Sequence, residues 1–384
     1  MDLTKIQVPD FRQIRDLVKG ENESCNPALS PLENATNCIN SVVALPKPEV
    51  QAPVIAAFAC LPTILLRQAP ILLVCGRSGC GKSDLLQVIA AVNGSQPMAA
   101  SSSLVSIRNR ITDDSRILGL KDYPSPIQCL VFDDAKEGFV EDEDKFTLLR
   151  CGYDRGTSSQ SISSAIIGQN LDFDIFCPKA LSTTGTFVWE AQYVELLRRC
   201  LIVEVEKLFD DPRVDALSKP DTFDFKPLYE QLLTHWLDAR NCTDYIQILG
   251  SLRRSPSLFS SDNWIVIKPL VANLIHFLGM EVMDAKLICS DFLGMQDKRK
   301  PPIRQILEDH LLPSQKTYEK LYAKGVNPDP VWVDPAVIKG LMDTASRHGL
   351  INNARLSSFK PELLDMGWKI GKGKEDRLGW IYEI

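Results

Sequence analysis

"LLVCGRSGCGKSDLL", residues 72–86, decides how the rest of the chain is read. The apolar run Ile71, Leu72, Leu73, Val74 and Cys75 has no helical period, as expected of a short strand buried on both faces. It breaks into a glycine-rich turn. Beyond the turn, "SDLLQVIAAV" sets Leu85, Leu86, Val88, Ile89 and Val92 at helical spacing. Between strand and helix stand Gly76, four residues, then Gly81, Lys82 and Ser83, which is the phosphate-binding loop spacing. Gly76, Gly79 and Gly81 permit backbone conformations that a Cβ would obstruct. With Arg77, Ser78 and Cys80 they make a loop whose N–H groups turn inward to cradle phosphate oxygens. Lys82 is expected at the β- and γ-phosphates of ATP, and the Ser83 hydroxyl at Mg²⁺. The start of the helix adds its positive end to the same anion site.

Such a loop needs an acidic partner at the end of a neighbouring strand. "IQCLVFDDAKEGF" supplies it: Cys129, Leu130, Val131 and Phe132 are apolar, then come Asp133 and Asp134. Asp133 is expected in the Mg²⁺ shell, and Asp134 as the general base that polarises the attacking water. "CPKALSTTG", residues 177–185, reads as a strand ending in hydroxyls, with Thr183 or Thr184 placed to bond the γ-phosphate or the water, or simply to cap the strand end. "YVELLRRCLIVEV" then gives a helix ending in Arg198 and Arg199, followed by a buried strand. Either arginine suits a finger reaching the phosphate of a neighbouring subunit. The pair equally suits a solvated helix end favoured by the macrodipole.

The 384-residue length predicts two or three domains, and 45% hydrophobic content supplies enough apolar surface for their cores. A formal net charge of −6 excludes a whole-chain basic field, so nucleic-acid contact requires local patches. Eleven cysteines form no C-x-x-C pair, and histidines at 235, 276, 310 and 348 are scattered, so no zinc spacing arises. Most of the cysteines lie in apolar runs and read as small buried hydrophobes of a reducing compartment. Cys80, inside the loop, reads either as a small tolerated residue or as a redox-sensitive thiol. The opening "MDLTKIQVPDFRQIRDL" is charged and amphipathic, unlike a signal peptide. "APVIAAFACLPTILL", residues 52–66, is too short to span a bilayer and reads as a buried helix beside the sheet. A cytoplasmic protein without membrane contact is expected.

Residues 1–49 read as short helices and linkers, and 50–206 as an α/β domain with a mainly parallel sheet. Its strand candidates are 70–75, 127–132, 179–183 and 200–205. Residues 207–329 read as a mostly helical lid or linker region. Residues 330–384 read as a winged-helix-like unit: Asp334 and Pro335 start a helix that Gly349 ends, and "SSFKPELLDMG" makes a second. "WKI" and "LGWIYEI" then form two strands joined by the basic turn "GKGKEDR". Lys360, Lys369, Lys372, Lys374 and Arg377 are placed there to contact DNA phosphates. The cluster Lys298, Arg299, Lys300 and Arg304 reads as a solvated linker. "SISSAIIGQNLDFDIF", 161–176, reads as a hairpin with Gln169 and Asn170 at its tip.

In order, these stations resemble the helicase-type P-loop ATPases of phages, plasmids and other mobile elements: the superfamily 3 helicases, within the AAA+-like class, and related ATPase domains attached to primases. "FDDAK" is similar to their second acidic motif. "CGYDRGTSSQ", "FDIFCPKALSTTGTF" and "LLRRCLIVEV" are similar to the arginine–glycine turn, "PKAL" strand and arginine-bearing helix that follow it. Where superfamily 3 members end that strand in asparagine, this chain has Ser182, Thr183 and Thr184; where the broader class has Asp–Glu, it has Asp133–Asp134. The resemblance covers residues 50–206. It implies a ring, usually a hexamer, that moves along DNA with ATP between subunits, in the company of a primase or other replication protein. In such rings the hairpin faces the central channel; read from its own residues it is an edge hairpin. A non-motor ATP switch stays open beside the motor: an initiator, partition, transposition or defence regulator that assembles on DNA without unwinding it. A nucleotide kinase fits the long C-terminal half less well.

Overall fold

The structure is a computed structural model, and it describes residues 25–76, 79–117, 120–135, 137–164, 169–183, 194–205 and 212–297, with parts of 331–382. Two compact units are present: residues 1–183 with 191–297, and residues 184–190 with 298–384.

The first unit opens with helix α1 (Pro31–Val42) and α2 (Pro48–Ala59). Ser30 and Glu33 close a reciprocal capping box at the start of α1, which fixes where that helix begins. Strand β1 (Ile71–Cys75), α3 (Lys82–Val92), β2 (Met98–Ala99) and α4 (Leu104–Asp114) follow. Next come β3 (Arg116–Ile117), β4 (Leu120–Pro124), β5 (Leu130–Asp133), α5 (Glu137–Glu141), α6 (Glu143–Cys151), β6 (Ser159–Ser164), β7 (Gln169–Asp174) and β8 (Lys179–Thr183). The unit ends with α7 (Val194–Leu197), β9 (Cys200–Glu204), α8 (Pro212–Asp215), α9 (Lys226–Leu237), α10 (Ala239–Ser251), α11 (Ser261–Leu278) and α12 (Val282–Asp297).

Five strands form one parallel sheet in the order β2-β5-β8-β1-β9. Every residue of β1 and β8 is buried, which is why both read as unbroken runs rather than alternating ones. Four of the five strands coincide with the sequence reading. The fifth, β2, is two residues long and leaves no periodic trace. Antiparallel β6 and β7 form the expected hairpin, but Gln169 pairs with Ser164, so Gln169 and Asn170 belong to the second strand and not the tip. The connection, 165–168, lies outside the described residues.

The segment 52–66 is buried as foreseen, but helix α2 stops at Ala59, and beyond Pro62 only a short 3-10 turn, Thr63–Leu65, follows. Carbonyls at and just past the carboxyl end of α2 take side-chain donors from Asn93, just past α3, from Asn273 of α11 and from Trp236 of α9. Asn93 reaches Ala59 O at 3.0 Å, Asn273 reaches Ala57 O at 2.8 Å, and Trp236 Nε1 reaches Cys60 O at 3.0 Å. These bonds tie the helices of 212–297 and the sheet into one hydrophobic core. Among the described residues, no helix is long and apolar enough to cross a membrane.

Lys179, the lysine of "PKAL", is wholly buried. Its ammonium donates to the carbonyls of Gly152 at 3.0 Å, Ile175 at 3.2 Å and Cys177 at 2.9 Å. Three donors meet three acceptors, which offsets a burial that pushes its pKa down. Arg155, from the arginine–glycine turn, does similar work: it donates to Leu66 O and Thr63 O and stacks on Phe176 at 4.1 Å. Both residues fasten the segments around the lower end of β8. Lys179→Met is therefore expected to destabilise the fold by about 3 kcal/mol, since three carbonyls lose a charged donor. Urea denaturation of parent and variant measures it.

The second unit holds a three-stranded antiparallel sheet, β10 (Val331–Val333), β11 (Trp368–Lys372) and β12 (Leu378–Tyr382), in the order β10-β12-β11. The antiparallel pair β11–β12, with Lys372 opposite Leu378, coincides with the two strands expected at the chain's end, and β10 is a strand the sequence did not announce. Helical residues at 336, 338–340 and 343, and at 360 and 363–364, fall within the two expected helices. Ile338 and Leu363 are buried, while Lys360 and Lys369 are exposed.

Candidate active site

In an open parallel sheet, ligands bind outside the carboxyl ends of the strands. Here the insertion of β8 between β1 and β5 decides what gathers there. The glycine-rich loop leaves β1, the acidic pair leaves β5, and the end of β8 lies between them.

The loop starts at Gly76, whose φ is +155°, and a Cβ there would lie 2.2 Å from Val205 O. Glycine is thus required for space as well as for backbone angle. Gly79 and Gly81 also have positive φ. Gly81 precedes the first turn of α3, and it offers no side-chain cap to that end. The orphan N–H groups of the turn are therefore available to an anion. Lys82 is buried; its Nζ donates to Gly76 O at 2.8 Å and lies 3.9 Å from Cys80 Sγ. The ammonium thus sits across the loop it follows. Ser83 is exposed on the same turn. Cys80 is buried, and burial pushes its thiol pKa up despite the adjacent Lys82, so the structure favours the small loop residue over the reactive thiol. Arg77 and Ser78 lie outside the described residues.

On β5, Asp133 closes the strand and Asp134 follows with φ +57°, a left-handed conformation rare outside glycine. Asp134 is exposed. The neighbour of both is Ser182, a residue that sequence reasoning passed over. Its Oγ lies 2.5 Å from Asp133 Oδ1 and accepts the Asp134 N–H at 2.9 Å. Thr183 is wholly buried, and its carbonyl accepts from Gly76 N–H at 3.3 Å, joining β8 to the loop. Thr184 lies outside the described residues. Register was the missing signal: Phe132 pairs with Leu181, so the next step sets Asp133 beside Ser182 on one face and sends Thr183 to the other.

A cavity of about 320 Å³ opens beside the acidic pair, lined by Asp133, Asp134, Ser101, Phe139 and Lys145. Lys145 closes one wall by donating to Ala100 O at 2.9 Å.

The chain matches no protein-family model and no curated protein. Among solved structures it is similar to SCCmec type IV Cch, an active helicase, at 12% identity and a TM-score of 0.34. The matched region covers 86% of this chain and 66% of that one.

The arginine pair lies elsewhere. Arg199 O accepts from Ile71 N–H, so both arginines stand at the amino end of β1 and β9, away from the loop of their own chain. Arg199 donates to Arg150 O at 2.6 Å and lies over the Tyr153 ring at 5.1 Å. Arg198 is exposed, in a long ion pair of 3.9 Å with Asp262. Of the five candidate DNA contacts, Lys360 and Lys369 are exposed and Lys372 ends β11, while Lys374 and Arg377 lie outside the described residues.

The donor set fits a nucleotide and a hard cation. The Ser83 hydroxyl and the Asp133 carboxylate are donors of the kind Mg²⁺ takes, one or two from the protein with water and phosphate completing its shell.

Proposed function

We propose that this chain is a DNA-dependent ATPase that works as a ring of identical subunits, moving along or unwinding DNA in mobile-element replication. The observation that carries the reading is the sheet order. In that order the glycine-rich loop follows β1, Asp133 and Asp134 end β5, and the end of β8, with Ser182, lies between them. Mg·ATP, when bound, supplies the reactive anhydride and a cation that offsets charge. The loop amides and Lys82 hold the phosphates in this reading, Ser83 and Asp133 orient the cation, and an Asp134 carboxylate oxygen takes the proton of the attacking water. Arginine from the neighbouring copy stabilises the charge that develops. In this reading Lys360, Lys369, Lys372, Lys374 and Arg377 hold DNA phosphates.

One feature favours a second reading, an ATP switch that assembles on DNA without unwinding it. The hairpin sequence 159–174 carries no lysine or arginine to grip a strand. Steady-state ATP hydrolysis with and without single-stranded DNA separates the two. Strong stimulation is expected of the motor. Slow turnover indifferent to DNA would leave the switch, and absence of turnover in both conditions would overturn the ATPase reading itself.

A further inference from the structure

The hydroxyl that couples β8 to the acid pair belongs to Ser182. Three of its contacts fall on consecutive residues. Its Oγ hydrogen-bonds Asp133 Oδ1 at 2.5 Å, the same Oγ accepts the Asp134 N–H at 2.9 Å, and its carbonyl accepts the Ala135 N–H at 2.8 Å. The first contact is a donation, because an ionised carboxylate has no proton to give. Ser182 is fully buried, so water does not substitute for it. The Asp134 N–H also leans on Asp133 Oδ1 at 3.0 Å. Serine hydroxyl, aspartate oxygen and main-chain N–H thus close a small triangle at the point where the backbone turns left-handed.

That turn needs support. A non-glycine residue at φ +57° costs energy and persists where its surroundings fix it. The turn also has a consequence: it ends the strand and carries the Asp134 side chain into solvent at the mouth of the sheet. Meanwhile Oδ1 of Asp133 is held by both the hydroxyl and the N–H, which restrains the carboxylate.

We propose that Ser182 is a positioning residue for the acid pair: it sets the rotamer of Asp133 for the cation and holds the backbone that aims Asp134. This rests on the ATPase reading above and assigns to Ser182 a role distinct from phosphate sensing at Thr183 or Thr184. Because the loop and Lys82 are not touched, nucleotide affinity without cation should be unchanged when Ser182 is altered.

The test compares the parent protein with Ser182→Ala and Ser182→Thr. Binding of a fluorescent ATP analogue is titrated in EDTA and at graded Mg²⁺, and turnover is measured alongside. Ser182→Ala is expected to leave affinity in EDTA within about twofold, raise the Mg²⁺ needed for half-effect about tenfold, and lower kcat about 10–100-fold with little change in KM. Ser182→Thr keeps the hydroxyl and should restore most of both. In the Asp133→Asn background, adding Ser182→Ala should change the Mg²⁺ response less than about twofold, because the residue acts through Asp133. Equal losses in both backgrounds would reduce Ser182 to general packing and overturn the proposal. So would a Ser182→Ala protein with parental Mg²⁺ response and kcat. If the parent binds Mg²⁺-nucleotide but never turns it over, the ATPase reading fails while the binding arm still decides Ser182. If the parent binds no nucleotide, both fall.

Discussion

Lys82→Ala is expected to lower ATP hydrolysis by about a thousandfold while leaving the sheet folded. The size follows from where the ammonium stands. It lies 2.8 Å from the carbonyl of Gly76, across a loop with positive φ at each of its three glycines. A cation held there meets the terminal phosphates of a nucleotide cradled by the loop, in a site where Lys82 is itself shielded from water. Charge that builds on the phosphoryl oxygens is then stabilised without reorganisation. The structural cost is smaller, because alanine removes one charged donor from Gly76 O, a loss of about 1–2 kcal/mol. Lys82→Arg should fare little better, since a planar fork does not replace a point charge that fits between a carbonyl and a phosphate. Phosphate release gives the rate, and a thermal melt by circular dichroism confirms folding. A variant that hydrolyses ATP within threefold of the parent would remove the phosphate-binding reading of the loop.

Much of this site was written in local sequence. Strand β1, the loop and α3 are contiguous, so apolar run, glycines and helical period identify them without tertiary information. Asp133 and Asp134 stand at the end of an apolar run and could be matched to the loop by type. The role of Ser182 could not be read that way. In "LSTTG" the threonines were the candidates, and pairing register alone turns Ser182 toward Asp133. Lys179 and Arg155 were hidden for a related reason. A lysine and an arginine near a strand suggest surface chemistry, but Arg155 is taken up by the distant carbonyls of Thr63 and Leu66, and Lys179 by that of Gly152 together with the nearby Ile175 and Cys177. The short strands β2 and β10 were also beyond reach, because two or three residues carry no period and owe their conformation to a neighbour. The hairpin illustrates the intermediate case. Its two strands were legible from alternation, whereas the position of the turn depended on which residues paired.

Arg198→Ala should abolish turnover nearly as completely as Lys82→Ala, and mixing the two dead proteins should restore part of it. The expectation starts from strand length. Strand β9 has five residues and rises about 3.3 Å for each, so the arginines at its amino end stand about 16 Å from the carboxyl end where the loop lies. Neither arginine serves the loop of its own chain across that separation. If one of them is a finger, it acts on another copy, through a head-to-tail contact of the kind that closes rings. Between the two, Arg199 is already committed to Arg150 O and the face of Tyr153, so Arg199→Ala should chiefly destabilise the end of α6. Arg198 is exposed and lies 3.9 Å from the exposed Asp262, so its guanidinium stands at the surface, where a neighbouring copy can meet it. Loss of an arginine finger costs about a thousandfold or more in rate. In an equal mixture, a subunit that keeps Lys82 meets a neighbour that keeps Arg198 at about a quarter of interfaces, if subunits associate at random. Activity near that fraction of the parental rate, with nucleotide binding by Arg198→Ala intact, would establish the shared site. A mixture as inactive as its components would show that the residues do not meet across an interface, and the ring would lose its main physical support.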